Sequence, residues 1–422
     1  MTEARPLTFE TLAAAVGGAG VALRSITALE PAGGPGDKVF PPTYQGGQYH
    51  LETRRVDDSE VQTVVLDSVQ SQANRMELAL LEARSRGVVA FPLVVADFSS
   101  ELPHIGRISA LEAPHRIADA IFRDSLLDGV RFRDSEPGKR FTSVSVRNAT
   151  ALLELCPTAL VFGVWDSTGP RGGLGAKFAR ALVSEIVGFD AVIGRRTGSR
   201  IDVLPISSRT TVYRSDAEGY TTDLQRARKD ERDQPELYVG RSKRGQGKPS
   251  ALNLGNVTPD FARDERRGDP LPGGVTISRA VQTAVLSLAG LRKLAFPVDG
   301  ARSDGSDDAA RMLLAALGVA AIAFQREQGY DLRSRCLLVP TEPLAVEIVA
   351  ANGGEPERFA LDSAEAADLV AQATKGVREA GFAWSEEEIV LTPERKLVDL
   401  VKRSEELLTE APDTDEDRAG VS

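Results

Sequence analysis

Five residues at the start of one helical pattern carry hydrogen-bonding groups where a solvated helix would carry Glu and Lys: Gln70, Ser71, Gln72, Asn74 and Arg75. The apolar positions beneath them, Val69, Ala73, Met76 and Leu80, recur at intervals of 4, 3 and 4, one face of a helix. Asp67 or Ser68 is placed to cap that helix, with Gln70 at the capping-box position behind Asp67. Ser and Asn compete with the helical backbone for hydrogen bonds, so their cost in a first turn calls for a return. Neutral donors and one guanidinium beside the positive end of a helix suit an anion.

Two further stretches point the same way. In "VWDSTGPRGGLGAKFARAL" (164–182) an expected strand ends at Trp165 and Asp166, and a loop with four glycines and Arg171 follows. The expected next element is a helix with Lys177 and Arg180 in its first turns. Glycines admit a ligand close to the backbone and a helix start attracts phosphate. The spacing is neither that of a nucleotide P-loop nor of a dinucleotide fingerprint. A structural turn with a solvated Lys and Arg is the alternative. In "YVGRSKRGQGKPSALNLGN" (238–256), Arg241, Lys243, Arg244 and Lys248 place four positive charges in eight residues with no acid among them. Mobile basic loops bind phosphate backbones, although many charge runs are simply solvated.

Catalytic chemistry finds little footing. His50, His104 and His115 form no zinc-protease motif, no His-Asp pair and no Cys/His cluster. Asp166 and Asp190 are isolated carboxylates. "DGARSDGSDDAA" (299–310) resembles a calcium loop only loosely, lacks its terminal Glu, and reads as a loop with a helix cap. No metal or cofactor is expected.

The elements that must position these residues sit in a chain of 422 residues, 42% hydrophobic and 27% charged, ordinary values for a globular protein. The longest apolar run, Met312–Phe324, spans thirteen residues against the about 20 that cross a membrane, and reads as a core helix. No leader is expected at the N-terminus, and Cys156 and Cys336 show no metal or redox spacing, which suits a reducing cytoplasm. Net charge is −10, but residues 386–422 carry −7 of it, in 12 acidic and 5 basic residues. The rest is nearly neutral and can hold basic patches, while the tail from 401 reads as acidic and disordered.

Short helices are expected at 8–17 and 145–155, longer ones at 113–127, 176–188 (closed by Gly188) and 307–326. Two more are expected near the C-terminus, in "SAEAADLVAQATKGVREAG" and "TPERKLVDLVKRSEELL". Strands are expected at 20–32, 88–97, 158–166, "RCLLVP" and "LAVEIVA". Strands and helices alternate irregularly, with long insertions, which predicts an α+β fold. Residues 195–270 lose apolar character and divide the chain: 1–194 as the first part of a core, 195–270 as a basic Gly/Pro-rich insertion, 271–400 as the rest of the core, and 401–422 as the tail.

Three segments, "YHLETRRVDD" with "VVLDSVQSQANRMELAL", "VFGVWDSTGPRGGLGAKFARALVSEI", and "KPSALNLGNVTPD" with "GGVTISRAVQTAVLSLAGLRKLAFP", together resemble the backbone subunit of type I-G (formerly I-U) CRISPR Cascade. The resemblance spans roughly residues 35–340. It implies a modified RRM-like, ferredoxin-type core of the repeat-associated RNA-binding superfamily, with long insertions forming finger and thumb elements. It implies several copies polymerised on one CRISPR RNA, each gripping the spacer backbone while a thumb kinks the strand, and target DNA met through guide pairing. The implied partners are other copies of the chain, a fused subunit that processes and caps the CRISPR RNA, a large PAM-reading subunit and a helicase-nuclease. Sister families carry a Ser-Ser-Gln-x-x-Lys-Arg-like motif against RNA phosphates; Ser71, Gln72 and Arg75 match it and Asn74 replaces the Lys. By the same resemblance Lys177 and Arg180 extend the groove, with Trp165 and Arg171 beside them, and the 195–250 arm is the finger or thumb. Two rivals remain: a metal-dependent RNA endonuclease of the same superfamily, with Asp166 as first suspect, and a small-molecule enzyme using the Gly-rich loop on a phosphorylated metabolite.

Overall fold

Alternating burial along residues 20–31 makes one long strand the spine of the first sheet, and three others pair with it. The structure, a computed structural model, describes residues 5–169, 177–240, 245–263 and 268–410. In chain order the elements used below are α1 (Phe9–Gly17), β1 (Gly20–Pro31), β2 (Leu51–Val56), β3 (Ser59–Asp67), α2 (Val69–Ser85), α3 (Thr158–Phe162), β4 (Val164–Trp165), β5 (Lys177–Phe178) and β6 (Leu182–Phe189). They continue with β7 (Val192–Arg195), β8 (Thr197–Arg200), β9 (Val257–Phe261), β10 (Pro272–Thr276), β11 (Arg279–Ser287), α4 (Asp304–Gln328), β12 (Tyr330–Arg333), β13 (Cys336–Pro340), β14 (Ala345–Ala350), α5 (Ser363–Glu379) and α6 (Arg395–Glu410). The fold is α+β.

The chain divides into two units, residues 5–37, 65–189 and 278–410, and residues 38–64 and 190–277. In the first, the sheet order β14-β1-β11-β6 is antiparallel throughout. With α2 between β1 and β6, and α4 between β11 and β14, the chain reads β-α-β-β-α-β, its strands lying in the order fourth, first, third, second. The registers set up transverse rows on the buried face. Leu23, Leu286 and Leu182 form an apolar row; Ser25, Ala284 and Ser184 a row of small residues; Thr27, Gln282 and Ile186 a partly polar one. Small side chains let helices come close. A Cβ on Gly318 of α4 would lie 2.8 Å from Leu286 Cδ2.

α4 is buried almost all round from Ala310 to Gln325, because alanines occupy the positions that polar residues take in a surface helix. Ser303 caps it, accepting from Ser306 N, and the buried Asp307 accepts from Phe296 N at 2.7 Å, from Arg302 and from Arg311. The calcium-like stretch is thus a loop and helix cap. No helix among the described residues is long and apolar enough to cross a membrane.

Five expectations are corrected. Residues 177–189 are β5 and β6, not a helix: Leu182, Val183, Ile186 and Val187 suit a helical face, but Leu182, Ser184, Ile186 and Gly188 also alternate. β11 offers an unbroken ladder from Leu182↔Leu286 to Phe189↔Arg279, which decides the case for a β-branched run. Gly188 is therefore a strand residue, and Lys177 and Arg180 sit at no helix start. Residues 158–162 are the buried helix α3 rather than a strand, ended by Gly163 at φ +83, and only β4 is extended. Periodicity cannot separate strand from helix in so short an apolar run. The helix expected over 113–127 breaks into a 3-10 turn, a four-residue helix and the strand Ser125–Leu127, because the Asp119 side chain accepts from Ile121 N and His115 N. The strand expected over 88–97 is confined to Leu93–Asp97, and the helix over 145–155 to Thr150–Leu155.

The second unit carries the hairpin of β2 with β3 and two two-stranded ribbons, β7 with β10 and β8 with β9. The hairpin pairs from Leu51↔Val64 to Val56↔Ser59. Tyr49 Oη accepts from Gly274 N at 2.8 Å, tying the two sequence segments of this unit together.

Candidate nucleic-acid interface

The first turns of α2 face inward more than the sequence suggests. Ser68 is the cap, accepting from Ser71 N at 3.3 Å. Asp67, fully buried, instead collects four donors: Ser71 Oγ at 2.8 Å, Gln72 Nε2 at 2.7 Å, Arg75 Nε at 3.0 Å and Arg333 Nη2 at 3.1 Å. A buried carboxylate is tolerable only with such compensation. Arg75 also donates to the carbonyls of Leu332 and Asp331, and Arg333 to that of Leu66. Gln72 Oε1 accepts from Ser184 Oγ and Gln282 Nε2, and Gln282 reaches Gln325 and the Tyr330 hydroxyl. Gln72 is fully enclosed, so it acts inside the fold and has no surface to offer a ligand. Ser71 and Arg75 are part-exposed but engaged; Gln70 and Asn74 are exposed.

Beside this turn lies a short ladder. β4 and β5 pair Val164↔Phe178 and Trp165↔Lys177. Trp165 is 54% exposed, and the Lys177 ammonium stands 5.5 Å from its ring centroid. Three residues on, Arg180 Nη1 donates to Val69 O at 3.2 Å, joining this segment to the start of α2. Burial, reinforced by nearby Arg116, holds the Arg180 guanidinium below its ordinary pKa. The close approach requires Gly163, where a Cβ would meet Arg180 Cγ at 2.9 Å and Phe178 O at 3.1 Å.

A buried ion pair supports the rim. Arg116 grips Glu77 of α2 through Nε at 2.6 Å and Nη2 at 2.7 Å, and donates to Gly163 O at 3.0 Å. Burial outweighs that guanidinium and pushes the Glu77 carboxyl up to about 7.

Trp165, Lys177 and Arg180 thus lie on one short segment joined to the start of α2 through Arg180 and Val69, and Gln70 and Asn74 are exposed on that helix. Lys248 is exposed in the second unit. Arg171, Arg241, Lys243 and Arg244 lie outside the described residues. Asp166 is buried, accepting from Arg133 Nη2 at 2.8 Å and from Thr168 N at 3.1 Å, so its carboxylate holds the loop. Among the described residues no group of three or more His, Cys, Asp or Glu is placed to hold a metal ion.

The sequence reading missed Asp67 as a hub, its partner Arg333, and the Glu77–Arg116 pair. A signal existed. Gln282 sits at an inward position of the alternating "RAVQTAVLS", and Glu77 lies beside Met76 on the apolar face of α2.

Residues 23–193 match the family model described as CRISPR-associated protein GSU0053. No curated protein matches it.

Proposed function

We propose, from the match of residues 23–193 to a CRISPR-associated family model, that this chain is the non-catalytic backbone subunit of a type I-G Cascade, polymerising along the spacer of a CRISPR RNA. The observation that carries this reading is the Trp165–Lys177 pair, tied through Arg180 to the first turn of α2. An exposed indole offers a stacking face to any base, and a cation beside it meets the adjoining phosphate. Amide groups at Gln70 and Asn74 add donors for phosphate or 2′-hydroxyl oxygens. None of these groups need read a base edge, which fits a protein that accepts every spacer.

The strand order of the first unit supports an RRM-like core, and the ribbons of the second unit are the finger or thumb candidate. Target DNA would be met through guide pairing. Partners would be further copies of the chain, the fused processing and capping subunit, the large PAM-reading subunit and the helicase-nuclease, in a cytoplasmic particle.

The test is co-expression with a CRISPR array and the processing subunit, followed by purification and nucleic-acid extraction. One RNA of defined length in a particle with several copies of the chain is expected. A monomer without RNA, while the processing subunit is active, would overturn the assignment. Within the particle, exchanging Arg241, Lys243, Arg244 and Lys248 for Ala should weaken RNA binding and flatten its salt dependence, by about 0.7 in log-log slope for each phosphate no longer neutralised.

A further inference from the structure

The second unit holds an open groove of about 850 Å³, within the roughly 300–1,000 Å³ of small-ligand sites. Lys248, the hydroxyls of Ser199, Ser250 and Thr258, the Asn256 amide and the Phe261 ring all line it. We propose that this groove seats one nucleotide of a single-stranded nucleic acid, its phosphate at Lys248 and its base stacked on Phe261. The inference rests on the RNA-binding reading and adds to it a site within the second unit.

Three observations carry it. The groove has a fixed wall: Arg200 donates to Gly255 O at 2.9 Å and Leu254 O at 2.8 Å, and Asn253 holds the left-handed turn at φ +56 that brings the chain back. A groove set before binding loses little entropy when it is filled. Phe261 is 47% exposed with Arg195 5.6 Å from its ring centroid, an arrangement that leaves aromatic surface for a base and adds a cation. Among its described residues, side-chain donors outnumber the fixed acceptors. Asn256 Oδ1 accepts from Asp202 N at 2.7 Å, which leaves the amide N–H groups to donate, while Asp260, the one carboxylate among the described residues of the lining, accepts from Phe261 N at 2.7 Å. An ammonium, hydroxyls and an amide beside an exposed ring recognise a phosphate and a base together. A phosphate and a ring face are common to all four nucleotides, so the binding is independent of sequence.

The test uses the full chain and a fluorescein-labelled twelve-nucleotide oligouridine across a salt series, with a copy carrying 5-iodouridine for photo-crosslinking. Phe261→Ala should weaken binding at least fivefold and remove a crosslink that maps to residues 257–263 in the parent chain. Lys248→Gln should lower the log-log salt slope by about 0.7. Circular dichroism confirms that both exposed-site variants fold. If both match the parent in affinity, slope and crosslink while Trp165→Ala weakens binding, the groove assignment falls and the RNA-binding reading stands. If the parent chain binds no oligouridine, both fall together.

Discussion

Trp165 and Lys177 are the residues on which RNA binding at the first unit should depend most. Alanine in place of a stacking aromatic costs about 1–3 kcal/mol per base, so Trp165→Ala should weaken RNA binding by about 5- to 150-fold, read by fluorescence anisotropy. Lys177→Gln should chiefly flatten the salt dependence, since it removes a charge and leaves the ring. Arg116 makes a different prediction. Its bidentate bond to Glu77 compensates a buried carboxylate, and removing one partner of such a pair costs about 3–5 kcal/mol. Glu77 has its folded pKa raised to about 7 from an ordinary 4.5, so between those values the folded chain keeps a proton that the unfolded chain has lost. Stability linked to Glu77 therefore falls as pH rises from about 4.5 to 7. Arg116→Met should cost least near pH 5, where Glu77 can protonate, and most near pH 8, as measured by urea unfolding at the two values. Equal costs would mean that Glu77 does not change its protonation state between the two values.

At the scale of elements, β6 and α4 set the constraints. β6 is a strand because β11 pairs with it along its whole length, a long-range fact that overrides a helix-compatible pattern. α4 reaches the sheet closely because Gly318 stands over Leu286. Gly318→Val should lower stability by about 1–3 kcal/mol through overpacking, despite glycine's poor helix propensity, and a thermal melt would show it. The α2 motif shows a second constraint. Gln72 is bonded to Ser184 of β6 and Gln282 of β11, and Arg75 to the backbone of β12 and Asp67, so these side chains fix α2 against the sheet. Asp67→Asn should leave Arg75 and Arg333 without their carboxylate and destabilise the chain by several kcal/mol, as seen by chemical denaturation.

At the scale of the molecule, charge and specificity matter together. Most of the net −10 lies in residues 386–422, so the remaining surface can carry cations at Lys177, Arg180 and Lys248. A chain that grips backbone and stacks bases without reading their edges should bind two RNAs of unrelated sequence and equal length with affinities within about threefold, measured by competition at one salt concentration. A tenfold or larger preference would mean that a base edge is being read.

Amino-acid sequence alone determined the α+β class, the long strand from residue 20, the buried helix around Met312–Phe324, and which segments carry hydrogen-bonding and basic groups. Those features are local: a period of two or of 3.6, a cap, a run of one charge. Trp165 and Lys177 were legible as chemically apt residues, but their pairing across β4 and β5 was not, because the register that places them together depends on residues far apart in the chain. The same limit misassigned 158–162 and 177–189, where short apolar runs satisfy both periods. It also hid the role of Ser71, Gln72 and Arg75. Their residue types fit an anion, but only the tertiary structure brings Asp67, Gln282 and Arg333 within reach, and a buried carboxylate takes the donors that a phosphate would have used.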